Sequence, residues 1–455
     1  MGRILITGGT VITADEEGRV FAPGDVAVDG EVIVYVGPPL AREGAVEDAG
    51  AAGPASGTLP AGWRPERIIA AQGRLVLPGL INAHTHAAMT LLRGYAEDLP
   101  LMVWLQEKIF PAEARLTEED IYWGTLLAQL EMIRSGTTAF ADMYFGMAMV
   151  ARAVEESGLR ASLARGLIGI SSEGERALEE AVSLVRSWHG AAGGRIRCLL
   201  GPHAPYTCPP AYLKKVMAEA SKLGVGLHIH LAETREECEE SRKSTGKSQI
   251  ENLEELGFFE LPVLAAHCVH LEPGDREILA RRGVAVAHNP TSNLKLGNGI
   301  APVAELLEAG VTVALGTDGA ASNNDLDLFE ELRLAALLQK GRTGDPAALP
   351  AAQAVSLATR MGAQALGLAG VVGELAPGRQ ADLILVRADS PRLTPVHDPL
   401  AAVVYAAHGD DVELTMVAGR VLYEGGRFLT LDEERIRREV ERRAARLRGL
   451  EGPAR

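Results

Sequence analysis

The sequence predicts an α/β protein in which a (β/α)8 barrel is joined to a small β-sandwich built from both chain ends. Three observations predict this fold. Short apolar runs alternate with amphipathic stretches from residue 75 to about residue 318, strand patterns flank this region on both sides, and nearly every apolar run ends in a His, Asp or Arg. In barrels of this kind the polar site residues lie at the carboxyl ends of the strands, where eight loops converge. A doubly wound sheet is the alternative that periodicity by itself leaves open.

Composition and charge fit a globular protein with one large and one smaller domain. The 455 residues are 47% hydrophobic and 23% charged, and the formal net charge is -15. This acidic balance argues against nucleic acid or an anionic membrane as a partner. Four cysteines without a CxxC pair indicate reduced thiols. We find no signal peptide and no apolar run long enough to cross a bilayer, so we expect a cytoplasmic location.

Both ends of the chain are predicted to build the sandwich. In the first part, residues 1–73, apolar and polar residues alternate with Gly and Asp at the turns. Within it, residues 37–66 are rich in Ala, Gly, Pro and Glu and predict a flexible surface insertion. Residues 373–430 are predicted to supply the remaining strands. A C-terminal helix is predicted over residues 431–455, where apolar residues recur at helical spacing.

The barrel is predicted over residues 74–372. Its eight strand candidates are residues 75–81, 137–142, 161–166, 197–201, 226–231, 263–267, 284–288 and 311–316. The polar residues at or just after their ends are His84, His86, Asp142, Arg165, His203, His230, His267, His288 and Asp318. A barrel would bring these side chains to one end of the molecule, which is why we favour it over the doubly wound sheet.

Histidines at the strand ends predict a metal site. His84 and His86 are spaced i, i+2, and in a strand this spacing places both side chains on the same face. Two more histidines, His228 and His230, end another strand, and only one of them needs to point to the barrel centre. Together with the terminal Asp318 they predict a mononuclear site with room for water. Three His and one Asp suit either Zn or Fe.

Five stretches of the sequence carry a resemblance that covers essentially the whole chain. They are residues 77–86 (LPGLINAHTH), 104–113 (WLQEKIFPAE), 201–208 (GPHAPYTC), 228–234 (HIHLAET) and 316–324 (GTDGAASNN). The first and last resemble the amidohydrolase superfamily, and the second and third resemble its 5'-methylthioadenosine/S-adenosylhomocysteine deaminases. The resemblance implies the barrel-plus-sandwich fold. It also implies hydrolytic deamination of an adenine nucleoside to the inosine analogue plus ammonia.

The resemblance implies one divalent metal ion per chain, with Zn2+ expected and Fe2+ as the alternative. The implied ligands are His84, His86, His230 and Asp318. His230 is implied rather than His228, because the family motif places a Glu three residues after the metal His, here Glu233. Some superfamily members hold two metals through a carbamylated Lys at the end of the fourth strand. Here that strand ends at His203, and the next Lys along the chain is Lys214, so we predict a single ion.

Three catalytic roles follow from the resemblance combined with the chemistry of metal-activated water. Asp318 is expected to take the proton of the attacking water. His267 is expected to hydrogen-bond the attacking hydroxide and to stabilise its charge. Glu233 is expected to donate a proton to the ring nitrogen beside the attacked carbon, which makes that carbon electrophilic.

The resemblance also implies substrate contacts, and these come from separate parts of the sequence. Glu113 would accept the ribose hydroxyls, and His203 would touch the purine or the ribose. Arg165 and Arg176 would pair with the amino-acid carboxylate of S-adenosylhomocysteine, because guanidinium groups match carboxylates. A solvated surface charge is the alternative for Arg176. Glu233 and Asp318, as catalytic groups, would also touch the substrate.

Two other functions are considered. The first is another hydrolase on the same scaffold, such as a guanine, cytosine or adenosine deaminase or a triazine hydrolase, which the metal site cannot discriminate. The second is a catalytically silent relative that serves in binding or assembly. Loss of a metal ligand would mark such a relative, and no ligand is lost here. The expected partner is a small-molecule nucleoside, and superfamily relatives lead us to expect a homo-oligomer.

Overall fold

The computed structural model of the chain describes residues 2–40, 59 and 62–449. The insertion expected over residues 37–66 lies mostly outside these residues. The first strands of the chain belong to the outer sheet. They are β1 (Arg3–Ile12), β2 (Val20–Asp29), β3 (Val32–Gly37), β4 (Arg67–Ala70) and β5 (Arg74–Pro78). β1 to β3 pair in antiparallel order, whereas β4 and β5 pair with β1 in parallel.

Eight parallel strands follow in chain order and form the barrel sheet. They are β6 (Leu80–Thr85), β7 (Thr137–Tyr144), β8 (Arg160–Leu167), β9 (Ile196–Pro202), β10 (Leu227–Leu231), β11 (Val263–His267), β12 (Ala285–His288) and β13 (Thr312–Leu315). Just after β13, the backbone N–H of Asp318 donates to the carbonyl of His84 in β6 at 3.0 Å. The last strand therefore returns to the first, and the predicted barrel is confirmed.

The C-terminal strands complete the outer sheet. They are β14 (Leu383–Arg387), β15 (Val412–Val417), β16 (Arg420–Glu424) and β17 (Arg427–Phe428). β14 pairs with β5, so strands from both chain ends form one sheet of nine strands. Buried side chains from both halves, among them Val11, Val26, Leu383 and Met416, share one core that is separate from the barrel core. The expected sandwich built from both ends is thus a single sheet that folds over its own core.

The first strand of the barrel differs from its prediction. The sequence analysis placed residues 75–81 in one barrel strand, but the structure ends β5 at Pro78 and starts β6 at Leu80. Gly79 lies between them, and a Cβ atom there would come within 2.1 Å of the Thr138 side chain. Only glycine fits at this close approach, and the chain passes from the outer sheet into the barrel at this point. The domain boundaries themselves remain a prediction.

Helices connect the strands and cover the barrel. They are α1 (Leu101–Val103), α2 (Phe110–Glu113), α3 (Glu118–Arg134), α4 (Met147–Ser157), α5 (Gly174–Trp188), α6 (Ala191–Gly194), α7 (Pro210–Leu223), α8 (Arg235–Thr245), α9 (Gln249–Glu255), α10 (Asp275–Arg282), α11 (Pro290–Lys295), α12 (Val303–Glu308), α13 (Leu328–Thr343), α14 (Ala351–Leu357), α15 (Arg360–Ala365), α16 (Pro399–Ala401) and α17 (Glu433–Leu447). A π-helical turn, Trp104–Ile109, joins α1 to α2. Among the helices of the described residues, none has both the length and the apolar character needed to cross a bilayer.

Two features show how the sequence sets the outer helices. Thr117 and Asp120 form a reciprocal capping box that begins α3. Asp120 also accepts from Arg443 of α17 at 2.9 Å and from Arg446. The C-terminal helix is therefore anchored to the first long barrel helix by buried charge as well as by its apolar face, on which Ile436 and Val440 are buried.

Candidate active site

A cavity of about 800 Å³ opens at the carboxyl ends of the barrel strands. Apolar side chains of the segment between β6 and α3 line much of it: Leu101, Trp104, Leu105, Ile109 and Phe110. Polar groups line the rest: His86, Glu113, Arg165, His203, His230, Glu233, His267 and Asp318. A concave site that is mostly apolar, with a few converging polar groups, suits a small organic ligand.

Three imidazole nitrogens and one carboxylate oxygen converge beside this cavity. Oδ1 of Asp318 lies 3.2 Å from Nε2 of His86 and 3.5 Å from Nε2 of His84. Nε2 of His230 lies 3.4 Å from Nε2 of His86. Ligands about 2.0–2.1 Å from a tetrahedral zinc ion lie about 3.3 Å from one another, so these spacings fit one metal ion.

Hydrogen bonds on the far side of each ring fix which nitrogen faces the centre. Nδ1 of His86 donates to the carbonyl of Met143, and Nδ1 of His230 donates to the carbonyl of His203 at 2.7 Å. Since a carbonyl only accepts, each Nδ1 carries a proton, and each Nε2 faces the centre, where it can bind a metal ion once it carries no proton of its own. Nε2 of His84 is buried and has no hydrogen-bond partner among the described residues. The donor set therefore suits a divalent metal ion.

The pKa shifts of these groups favour the same interpretation. Burial lowers the pKa of His84 to about 4 and lowers that of His230 well below its usual value, so both rings are neutral. Burial also lowers the pKa of His86, but the adjacent Asp318 carboxylate outweighs burial and raises it to about 9. The cluster thus stabilises one positive charge next to Asp318, and a metal ion can replace that proton.

His267 and Glu233 form a second polar pair beside the metal cluster. Nε2 of His267 lies 3.7 Å from Oε2 of Glu233. Nδ1 of His267 donates to Oδ1 of Asn293 at 2.8 Å, which leaves Nε2 as the acceptor facing the cavity. Nδ2 of Asn298 donates to Oε1 of Glu233 at 2.9 Å, and burial raises the pKa of the Glu233 carboxyl. The pair can therefore handle a proton next to a reacting atom.

Asp318 is held by two donors and by an uncommon backbone conformation. The hydroxyl of Ser292 donates to Oδ2 at 2.6 Å, and the backbone N–H of Gly319 donates to Oδ1 at 2.8 Å. The φ angles of Asp318 and His267 are 62° and 76°, in the left-handed region that non-glycine residues rarely adopt. Such conformations cost on the order of 1–3 kcal/mol each and cluster at functional sites.

The predicted substrate residues reach the cavity to different degrees. Glu113 and His203 line it, and Tyr144 donates its hydroxyl to Oε1 of Glu113 at 2.5 Å. Arg165 also lines it, although its Nε lies 2.9 Å from Oε2 of Glu180. Arg176 lies on a neighbouring cavity instead, with 68% of its side chain exposed and Nη2 2.6 Å from a carboxylate oxygen of Glu173. The structure thus leaves Arg176 outside the main cavity.

His228 packs against His84 beside the metal cluster. The sequence required only one of His228 and His230 to point to the barrel centre. In the structure His228 is also fully buried, and its Nε2 lies 2.9 Å from Nδ1 of His84. The reason is the two-residue period of a strand, which puts His228 on the same face as His230. If Nε2 of His84 binds a metal, its Nδ1–H donates to His228, which would hold the ring in place.

Comparison with known proteins identifies the family. The profile of the Amidohydrolase family matches residues 75–422. A 5-methylthioadenosine/S-adenosylhomocysteine deaminase of Pelotomaculum thermopropionicum is 54% identical over 447 residues, which cover 98% of this chain and 99% of the relative. The chain belongs to the amidohydrolase family, in its branch of 5-methylthioadenosine/S-adenosylhomocysteine deaminases. The resemblance found in the sequence motifs is confirmed.

Solved structures of other amidohydrolases have the same fold. An adenosine deaminase from Xanthomonas campestris with bound zinc has a TM-score of 0.89 and 34% identity, over 98% of each chain. An atrazine chlorohydrolase from Arthrobacter aurescens complexed with zinc has a TM-score of 0.85 and 28% identity, over 97% of this chain and 100% of the other. These zinc-bound relatives and the histidine cluster together support a divalent metal site in this amidohydrolase.

The sequence analysis missed the partners that orient the site residues of this amidohydrolase. They are Tyr144 on Glu113, Asn298 on Glu233, Asn293 on His267 and Ser292 on Asp318. Tyr144 follows two residues after Asp142 at the end of β7, so strand alternation could have placed it on the same face as a noted residue. The other three follow β12: Ser292 and Asn293 lie in the short helix α11, and Asn298 lies in the loop after it, so strand alternation gives no signal for them.

Proposed function

We propose that this chain is a metal-dependent aminohydrolase that converts an adenine nucleoside to its inosine analogue and ammonia. The observation that carries the proposal is that the proposed catalytic side chains and metal ligands lie at one cavity. Glu233, His267, His86, His230 and Asp318 all line the cavity in which a purine would sit, and His84 lies buried beside them. A bound divalent metal ion, Zn2+ by expectation with Fe2+ as the alternative, would supply hydroxide near neutral pH by lowering the pKa of a coordinated water.

The residues of the chain have separate roles in this reaction. Asp318, held by Ser292 and Gly319, accepts the proton that the attacking water releases. His267 hydrogen-bonds the attacking hydroxide through its Nε2, and once that nitrogen carries a proton the imidazolium stabilises the charge on it. Glu233 transfers a proton to the ring nitrogen beside the amino-bearing carbon, and burial, which raises the pKa of its carboxyl, keeps that proton available. Asp318 then passes the proton that it accepted to the amino group, the C–N bond breaks to release ammonia, and the proton of the added hydroxyl returns to Glu233 as the carbonyl forms.

The substrate contacts are also part of this proposal. Glu113 accepts the ribose hydroxyls, and His203 touches the purine or the ribose. Arg165 pairs with the carboxylate of a 5' amino-acid tail, which requires it to exchange Glu180 for the substrate. Arg176 would have to move from its exposed pairing with Glu173 to join it. A cytoplasmic location and a homo-oligomer remain predictions from the sequence.

The test is an ultraviolet assay on zinc-loaded protein with ammonia measured in parallel. S-adenosylhomocysteine, 5'-methylthioadenosine, adenosine, adenine, guanine and atrazine serve as substrates. We expect turnover of the nucleosides, and metal analysis should find one ion per chain. Turnover of free bases or of the triazine, with none of the nucleosides, would overturn the substrate assignment. Two ions per chain would contradict the single-metal prediction.

The pKa of Glu113 predicts a pH effect on nucleoside binding. Burial raises the pKa of this carboxyl to about 7, although the hydrogen bond from Tyr144 and the charge of His86 lower it. Its ionised fraction then falls from about nine-tenths at pH 8 to about one-tenth at pH 6. Because the ionised form is the better acceptor for two hydroxyls, the KM of adenosine should rise by up to about tenfold over that range.

The same measurement on 2',3'-dideoxyadenosine is the control for this pH effect. It lacks the hydroxyls, so its KM should not follow the ionisation of Glu113, whereas any effect of pH on the metal site is common to both substrates. The ratio of the two KM values isolates Glu113. A ratio that stays constant between pH 6 and pH 8 would show that Glu113 does not receive the ribose.

A further inference from the structure

A buried phenol holds the carboxylate that we assign to the ribose. The hydroxyl of Tyr144 donates to Oε1 of Glu113 at 2.5 Å, and both side chains line the cavity. Tyr144 is 6% exposed and belongs to β7, so its position is set by the barrel. Its ring stacks on Phe145, with 4.3 Å between centroids, and lies 6.1 Å from the ring of His86. The phenol is thus a fixed point next to the metal cluster.

Glu113, by contrast, depends on a less rigid element. It ends α2, a helix of four residues that follows a π-helical turn in the segment lining the cavity. Among the described residues, its carboxylate accepts one hydrogen bond, which comes from Tyr144. Without that bond, nothing in the described structure fixes the direction in which the carboxylate points.

The hydrogen-bond capacity of the pair matches a vicinal diol. A carboxylate offers two oxygens and about four acceptor sites, of which Tyr144 takes one on Oε1. The remaining sites are free to accept the two O–H groups of a ribose. Burial and the Glu113 charge raise the pKa of Tyr144 well above its usual value, so the phenol keeps the proton that it donates to Glu113.

We propose that Tyr144 is a positioning residue for ribose recognition, which aims the Glu113 carboxylate at the 2' and 3' hydroxyls of the nucleoside. This inference rests on the proposed function and deepens it, because it names the residue that would make the enzyme prefer ribonucleosides over dideoxynucleosides. Tyr144 acts through Glu113 and takes no part in the proton transfers at the purine.

The test compares Tyr144→Phe with wild type on adenosine, 2'-deoxyadenosine, 3'-deoxyadenosine and 2',3'-dideoxyadenosine. Loss of the hydroxyl should raise the KM of adenosine by about tenfold, the scale of one hydrogen bond to a charged group, with kcat little changed. The KM of the dideoxy substrate should stay within about twofold, because it offers Glu113 no hydroxyl. The monodeoxy substrates should lie between these limits.

A matched control and a double variant separate positioning from folding. Tyr35→Phe removes the hydroxyl of another tyrosine with little exposed surface, which belongs to the outer sheet and donates to the carbonyl of Pro38, and it should change no KM. Combined with Glu113→Gln, Tyr144→Phe should add little further loss, because both act on the same contact. The thermal midpoint and zinc content of each variant verify the fold.

The outcomes distinguish this inference from the proposed function. Equal losses on all four substrates, or additive losses in the double variant, would overturn the role of Tyr144 while deamination itself stands. Absence of turnover of every adenine nucleoside by wild type would overturn the proposed function. Calorimetric binding of adenosine and 2',3'-dideoxyadenosine does not depend on turnover. If wild type shows no turnover and also binds adenosine no more tightly than 2',3'-dideoxyadenosine, both the proposed function and the Tyr144 assignment fail.

Discussion

Replacing Glu233 by Gln should leave the zinc content unchanged and lower kcat by about 10^3-fold, within the range that general acid catalysis contributes. Glutamine keeps the shape of the side chain but carries no transferable proton. The variant should therefore still bind the nucleoside, with a KM near that of wild type. Single-turnover kinetics followed in the adenine absorption band, together with metal analysis, measure both effects.

The matched control is Glu236→Gln. Glu236 lies three residues further along the chain and is exposed to solvent, so its loss should change kcat little. Full activity of Glu233→Gln would remove Glu233 from the mechanism. Loss of zinc together with activity would instead show that Glu233 supports the metal site.

Replacing Arg160 by Met should destabilise the protein by about 3–5 kcal/mol, the usual cost of breaking a buried ion pair. Arg160 in β8 donates through Nε and Nη2 to the two oxygens of Asp382 at 2.7 and 2.9 Å, and both side chains are almost fully buried. Asp382 also accepts from the backbone N–H of Ala418 at 2.7 Å. This pair joins the amino end of a barrel strand to the outer sheet.

Denaturant unfolding of the zinc-loaded protein measures this loss. Arg3→Met is the control, because Arg3 pairs with Asp29 at 3.4 Å while 44% of its side chain is exposed. Such surface pairs contribute about 0–1 kcal/mol. If the two variants unfold at the same denaturant concentration, the buried pair does not stabilise the junction between barrel and outer sheet.

Strand positions and strand-end residues could be predicted because they follow from local pattern. β11 occupies the residues expected for it, Val263–His267, and the other barrel strands after the first agree to within two residues at each end. A parallel strand that is buried on both faces reads as a short apolar run, and in a barrel its carboxyl end points to the site. His84, His86, His230 and Asp318 could therefore be grouped before any coordinates were known.

The same local pattern failed where a contact joins distant parts of the chain. The first strand was extended through Gly79, because apolar periodicity does not register the close approach to Thr138. Arg176 was grouped with the substrate residues by the resemblance, with a solvated surface charge as the alternative, and in the structure α5 presents it to solvent. The two-residue period of a strand places His228 on the same face as His230, and the prediction did not apply this period to the pair.

The sequence by itself determined the barrel, the outer sheet from both ends and the set of histidines and carboxylates at the strand ends, because period and chain order specify these. Only the tertiary structure decided how those groups are oriented. Tyr144 meets Glu113, Asn298 meets Glu233 and Arg160 meets Asp382 across 31, 65 and 222 residues of chain. Such contacts form only between segments that pack side by side. This packing depends on the whole core rather than on any one segment.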